Sequence, residues 1–370
     1  MISATFFRRM VAVLAWMAGA SAGAWEIHQV DGRDHVSLTE VASFYAMGDE
    51  SAPEPNTRKY RGDDRELVVA SNSRLIILNG VAHWLAFPVR QKGDLMLVSR
   101  LDLGKTIEPA FRPQMIPGFE PVKTVVLDPG HGGQDKGARS PYEFEKNFAL
   151  DVSRRVRDEL KKAGLKVVMT RNSDTFVELP QRAAVANRIP NSILVSIHFN
   201  AADWNHQANG FEIFCVTPRG APSTAYEQVT VRDMAGEAGN ESDLESFALA
   251  NAVYHAMHGR MEMYDRGVKR ARFAVLRLAK VPAILVEGGF LTNPEDARKV
   301  ASRQWRDGYA RSIAQGILEY VRLASNKTPP KQVADYRGGG ESGTAVAAAR
   351  PTPAPASAIP LRELPSAGTN

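Results

Sequence analysis

One cysteine in 370 residues is too few for an internal disulfide, so a folded core must supply the stability. That residue, Cys215, sits in GFEIFCV among alternating apolar residues and reads as a buried structural thiol. No cationic neighbour in sequence marks it as a nucleophile, which argues against cysteine-hydrolase chemistry. No apolar run is long enough for a confident membrane span, so no transmembrane segment is expected in the mature chain. No segment interleaves basic and aromatic residues, so nucleic acid is not an expected partner. HExxH is missing as well, so any metal ligands must be scattered along the chain. Charge of one sign is only slightly in excess, with 46 Lys+Arg against 41 Asp+Glu. The formal +5 favours an anionic partner such as a cell-wall polymer or membrane surface. With 44% hydrophobic and 24% charged residues, the chain reads as soluble and globular.

Four regions separate by composition. Residues 1–24 carry Arg8 and Arg9, the apolar stretch MVAVLAWMAGA and the small residues Ala22-Gly23-Ala24, an A-x-A cleavage pattern before Trp25. Export to the periplasm or cell surface is the expectation, by a Sec or twin-arginine route, with a retained anchor as the alternative. Gly19-Ala20-Ser21-Ala22-Gly23 satisfies G-x-S-x-G but falls inside this signal, so it does not indicate a serine hydrolase. Residues 25–115 hold the amphipathic HVSLTEVASFYAM and two apolar runs around Asn79-Gly80, a hairpin signal. They predict a small α+β domain with a targeting or spacing role. Residues 328–370, rich in Pro, Ala, Gly and Ser, are expected to be disordered.

Residues 122–323 alternate strand and helix. The strand candidates are KTVVLD, KVVMT, ILVSIH, GFEIFCV, FAVLR and AILVEG. Phe148, Val152, Val156 and Leu160 recur every four residues and predict one buried helical face ending near Gly164. Further helices are predicted over LPQRAAVANRI, SFALANAVYHAMHGRMEM and RQWRDGYARSIAQGILEYVRLA. The fold class is therefore α/β: one twisted, largely parallel sheet of about six strands with helices on both faces, preceded by the small α+β domain. A long polar connection, VTPRGAPSTAYEQVTVRDMAGEAGNESD, follows GFEIFCV and reads as a mobile loop or, alternatively, an inhibitory segment.

Three apolar runs end in a polar residue that a core strand does not need. His131 follows VVLDPG, His198 closes ILVSIH and Glu287 closes AILVE. In an open α/β sheet such strand ends face the ligand crevice. Two imidazoles and a carboxylate satisfy the ligand count of a hydrolytic zinc site, and a second carboxylate is needed to move the proton. Glu145, at the start of the first helix, and Glu287 are the carboxylates available, with Glu287 the natural proton carrier. Glu143, two residues earlier, leaves the register of the helix-start carboxylate open. Asn200 is a candidate substrate contact, and Asp128 a candidate support for a ligand histidine. Arg171 and Asp174 read as fixing a turn, His206 as loop decoration, and His255 and His258 as surface residues.

DPGHGG, Glu145-Lys146-Asn147, SIHFNA and LVEGGFLTNPED resemble the zinc-dependent N-acetylmuramoyl-L-alanine amidases of the AmiA/AmiC type. The likeness runs over residues 122–323 and includes MTRNSD, RAAVAN and DRGVKRARFAVLR. It implies one Zn²⁺ on His131, Glu145 and His198, with Glu287 as the catalytic carboxylate. It implies peptidoglycan as partner, cut at the amide between the lactyl group of N-acetylmuramic acid and L-alanine, in cell-wall remodelling. Some relatives carry a plug after the GFEIFCV strand that an activator protein displaces. Phe199 departs from the small residue usual there and is expected to narrow or alter the pocket. The N-terminal region resembles the N-terminal domain of copper amine oxidases, a module that recurs on secreted wall enzymes. The other readings are a zinc peptidase acting within the stem peptide and a non-catalytic wall-binding module.

Overall fold

The computed structural model describes residues 25–50, 56–117 and 119–325; the export segment and the C-terminal tail lie outside the described residues. The N-terminal region builds nine short strands: β1 (His28–Val30), β2 (Arg33–Ser37), β3 (Gly48–Glu50), β4 (Thr57–Arg61), β5 (Glu66–Ala70), β6 (Leu75–Leu78), β7 (Val81–Trp84), β8 (Arg90–Lys92) and β9 (Leu95–Ser99). Helix α1 (Leu38–Phe44) begins where the Ser37 hydroxyl accepts the Thr39 N–H. Asn79 and Gly80 both take positive φ, 51° and 81°, as the tight turn between antiparallel β6 and β7 requires. Val36, Leu38, Val41, Leu67, Val69, Ile76 and Leu78 gather from these elements into a core of their own.

The second region contributes β10 (Thr124–Pro129), β11 (Lys166–Met169), β12 (Ser192–Asn200), β13 (Phe211–Val216), β14 (Asp265–Ala271) and β15 (Ala283–Phe290). Its helices are α2 (Glu145–Lys162), α3 (Leu179–Asn187), α4 (Asp243–Met257), α5 (Ala274–Arg277), α6 (Pro294–Ala301) and α7 (Arg303–Ala324). The strand order is β11-β10-β12-β15-β13-β14, parallel except for the antiparallel β13–β15 pair. Period-two alternation sends Val125, Leu127, Val195, Ile197, Ile284 and Val286 to one face, against Phe148, Val156, Val253 and Ile313 of α2, α4 and α7. Val126, Leu194 and Leu285 go to the other face, against Ala183 and Ala186 of α3 and Leu276 of α5. The six strands and two helical layers match the expected fold class.

One strand differs from its sequence expectation. FAVLR is not a strand; Ala274–Arg277 is a single helical turn, and the edge strand is the preceding DRGVKRA. That strand buries Lys269 and Arg270, whose charges disguise it as a surface segment. Lys269 is matched by Glu212, while Arg270 Nη1 donates to the Val216 carbonyl at 3.2 Å.

The two regions share a sheet. β14 pairs with β7 at Val268↔His83, so β7-β6-β5-β4-β3 extend the order to eleven strands. His83 is fully buried at this seam, with Nε2 3.0 Å from Asn251 Oδ1 of α4. Lys105 bonds Asp243 at 2.8 Å, and the Trp84 indole N–H donates to the Arg266 carbonyl at 2.9 Å. Among the described residues, no helix is long and apolar enough to cross a membrane.

Candidate metal centre

Where β10 ends, the backbone must turn sharply against β12. A Cβ at Gly130 would lie 2.3 Å from the His198 ring, so only glycine allows the two strand ends this close. The next residue, His131, has φ 57°, a conformation that costs a non-glycine residue roughly 1–2 kcal/mol. Two guanidiniums hold it there. Arg182 donates to the Pro129 and His131 carbonyls at 2.7 and 2.8 Å, and Arg171 to those of Pro129 and Gly130 at 3.0 and 2.7 Å. Burial and the neighbouring Arg182 pull Arg171 down to about 10, which leaves it protonated at neutral pH. Asp174 accepts the Gly133 N–H at 2.8 Å, so Arg171 and Asp174 do fix the turn.

Glu145, the first residue of α2, lies between the two imidazoles. Its Oε2 is 3.0 Å from His131 Nε2 and its Oε1 is 3.0 Å from His198 Nδ1. The same oxygens accept the Ala138 N–H at 2.9 Å and the Phe199 N–H at 3.1 Å, so the carboxylate cannot rotate freely. One ligand atom from each of His131, Glu145 and His198 falls within 4.8 Å of the others. Burial alone would push the Glu145 carboxyl up, but the hydrogen bonds from His131 and His198 outweigh it and hold it well below the usual range. Burial lowers His131, yet its bonds to Glu145 and then Asp135 bring it above the ordinary value. Glu143 is not part of the cluster; its Oε1 accepts the Phe144 N–H at 2.8 Å.

Asp128 does not bond a ligand imidazole; it supports His131 only through Arg182, which holds the His131 carbonyl. It is wholly buried and accepts from Arg182 Nη1 at 2.9 Å and from the Ser196 hydroxyl at 2.8 Å. The partner of His131 is Asp135, whose Oδ2 is 2.8 Å from Nδ1 and directs Nε2 toward Glu145. Sequence reading missed Asp135 because it sits in an irregular loop; its only signal was a spacing of four from His131.

Glu287 stands beside His198 in the sheet register, and Glu212 stands on its other side. The three side chains form one row across β12, β15 and β13 on the same face. Glu287 is buried, and its Oε2 has no hydrogen-bond partner among the described residues. Burial, then the nearby Glu145 and Glu212, push its carboxyl well above the usual range. Glu212 differs: burial raises it, but Lys269 and Arg266 outweigh that and hold it low. Asn200 gives its amide to Glu212 at 2.9 Å.

Phe199 does not line a pocket. It is 2% exposed and packs against Phe148 and Tyr309, because alternation along β12 turns it away from the face that carries His198. His255 is not a surface residue either: it is half-buried, and burial, with His83 and His258 nearby, lowers it to about 4. His258 is exposed and meets Asp265 at 3.1 Å, and His206 sits 3.0 Å from the Thr292 carbonyl. Cys215 is buried, and desolvation raises its thiol. The polar connection after β13 runs along the N-terminal region, where Arg74 donates to the Tyr226 and Thr224 carbonyls at 2.7 and 3.3 Å. None of its described residues hydrogen-bonds to His131, Glu145 or His198.

A buried carboxylate facing two ring nitrogens, with no lysine or arginine to neutralise it, is a donor set of the kind zinc takes. Residues 125–319 match the family described as N-acetylmuramoyl-L-alanine amidase. The chain is 33% identical over 218 residues to the N-acetylmuramoyl-L-alanine amidase AmiC of Escherichia coli O6:H1, covering 53% of this chain and 52% of that relative. It therefore spans about half the length of that relative. It is 30% identical over 227 residues to AmiA of Escherichia coli K12, covering 55% of this chain and 78% of the relative. Among solved structures it is similar to the amidase AmiC2 of Nostoc punctiforme, at 34% identity and a TM-score of 0.46, covering 55% of this chain and 99% of that one.

Proposed function

The chain belongs to the N-acetylmuramoyl-L-alanine amidase family, and from that premise we propose that it hydrolyses the amide between the lactyl group of N-acetylmuramic acid and L-alanine in peptidoglycan. The observation that carries this reading is Glu145 closed between His131 and His198, with Glu287 unpaired beside them in register. His131 Nε2, His198 Nδ1 and the Glu145 carboxylate would hold one Zn²⁺. Zinc there supplies Lewis acidity, lowering a water's pKa to around 7 and polarising a carbonyl.

The chain's own groups do the rest. Glu287 takes the attacking water's proton on a carboxylate oxygen and returns it to the leaving amine nitrogen of L-alanine. Burial, with Glu145 and Glu212 nearby, raises its carboxyl, which favours its holding the proton between the two transfers. Asp135 keeps the His131 proton on Nδ1, so that Nε2 is free to donate its lone pair. Arg171 and Arg182 hold the loop that carries His131.

Residues 1–24 support export, so the working place is the periplasm or cell surface. The connection after β13 is tied to the N-terminal region by Arg74, and this supports a site that works without an activator to displace a plug. Purified zinc-loaded protein should release free peptide stems from sacculi, read by mass spectrometry, and Glu287→Gln should stop release while zinc stays bound. Cleaved stems still attached to muramic acid would favour the peptidase reading. Binding to sacculi without turnover would favour the non-catalytic one.

A further inference from the structure

The far end of the catalytic row carries cations that the reaction does not use. Glu212 accepts from Arg266 Nε at 3.0 Å and from Lys269 Nζ, so two cations share one carboxylate. The nearby acids are committed elsewhere. Asp265 takes the Tyr254 hydroxyl and His258, and Asp296 takes the Gly210 and Phe290 N–H groups. Neither acid hydrogen-bonds to Arg266 or Lys269.

Arg266 is the member of the cluster that reaches solvent, at 14% side-chain exposure against 3% for Lys269 and 6% for Glu212. Its Nε is spent on Glu212 and its Nη1 on the Asn209 carbonyl at 3.2 Å, while Nη2 has no hydrogen-bond partner among the described residues. The guanidinium lies 4.9 Å over the Phe290 ring, which limits where Nη2 can point. From the N-terminal region, Trp84 holds the Arg266 carbonyl through its indole N–H.

We propose that Arg266 forms a subsite for a carboxylate of the stem peptide, positioned by Trp84 of the N-terminal region. The inference rests on the amidase reading. Arg266 lies on β14, two strands beyond Glu287 on β15, a span of roughly 10 Å at the usual strand spacing. An extended peptide rising ~3.3 Å per residue covers that in about three residues. The carboxylate it meets therefore belongs to the second or third residue after the scissile amide. A half-buried guanidinium with a spare N–H, sharing its one carboxylate with Lys269, is a group that such an anion satisfies. The N-terminal region thus contributes to substrate selection through the seam it shares with the catalytic sheet.

The test uses the full zinc-loaded chain and two soluble muramyl-tripeptides, one with free side-chain carboxylates and one with those groups amidated. Wild type should favour the acidic substrate by about ten- to a hundredfold in kcat/KM, expressed in KM, as expected for a charged hydrogen bond. Arg266→Gln should bring that ratio close to one. Trp84→Phe, which keeps an aromatic ring and removes the donor, should lower it part of the way. Arg266→Lys keeps the charge and should keep part of the preference, with a steeper loss on added salt, and it covers the case in which the glutamine variant fails to fold. Equal turnover of both substrates by wild type, or an unchanged ratio in the Arg266 variants, overturns the subsite and leaves the amidase reading standing. No turnover of either substrate by zinc-loaded wild type overturns both.

Discussion

The two ends of the catalytic row have opposite electrostatic problems. At one end Glu145 lies buried between two imidazoles, with no fixed cation against it. At the other, Glu212 lies buried under two fixed cations. The first end has no fixed cation and would suit the proposed metal ion; the second shares one carboxylate between two cations and would suit the proposed anion. Glu287 stands between them with neither compensation, so its carboxyl stays basic. Each glutamate owes its role to its neighbours, since the three share burial and residue type.

The sharpest way to break this contrast is to remove one carboxylate at a time. Glu287→Gln should lower turnover by about 10²–10⁴-fold, the usual reach of a general base, with zinc retained. Glu145→Ala should lose turnover and zinc together, read by elemental analysis of the same preparations. If both variants lose zinc, the division of labour between the two carboxylates is wrong.

Glu212→Gln should leave zinc in place and destabilise the fold, because Lys269 and Arg266 would keep their charges without a carboxylate. A loss of about 3–5 kcal/mol in urea unfolding is expected, as for a buried pair deprived of one partner. Adding Lys269→Met should recover part of it; no recovery would mean that packing, not charge, sets the cost.

Asp135→Asn tests the zinc end more gently. It should weaken zinc affinity by about 10–100-fold in chelator competition, through loss of His131 orientation, and leave the preference for acidic substrates intact. The smallest effect concerns stability against pH. The folded-state pKa of Glu287 is raised, so its contribution to stability is complete below the unfolded value and is lost as pH rises through the raised one. Metal-free Glu287→Gln should therefore melt higher than metal-free wild type at pH 8, by roughly 2–4 °C, with the gap closing near pH 4. An equal gap at both pH values would show that ionisation of Glu287 is not the cause.

The contrast also explains what could be read from sequence. His131, His198 and Glu287 announced themselves because a polar residue at the end of an apolar strand has few structural excuses, and the structure brings them to one edge with Glu145. The Lys269–Glu212–Arg266 end was invisible because its strand carries buried charges, and no periodicity separates DRGVKRA from a solvated loop. FAVLR drew the strand assignment for the converse reason: it is apolar, but too short to tell a strand from one helical turn. The support that Asp128 gives was legible only in outline: a strand-end acid beside a histidine loop suggests it, but only the tertiary position of Arg182 shows that it runs through a guanidinium to the His131 carbonyl. His255 looked superficial because α4 is buried on most sides, so a partly polar helix gives no clean stripe. The hairpin at Asn79-Gly80 was legible, yet no local signal says that its strand β7 joins the catalytic sheet.

The most direct test is the zinc content of purified Glu287→Gln, measured beside wild type and Glu145→Ala. The account predicts one ion per chain in wild type and in Glu287→Gln, and none in Glu145→Ala. A folded wild type that holds no zinc and cannot be loaded, or a Glu145→Ala variant that keeps its ion, would contradict it.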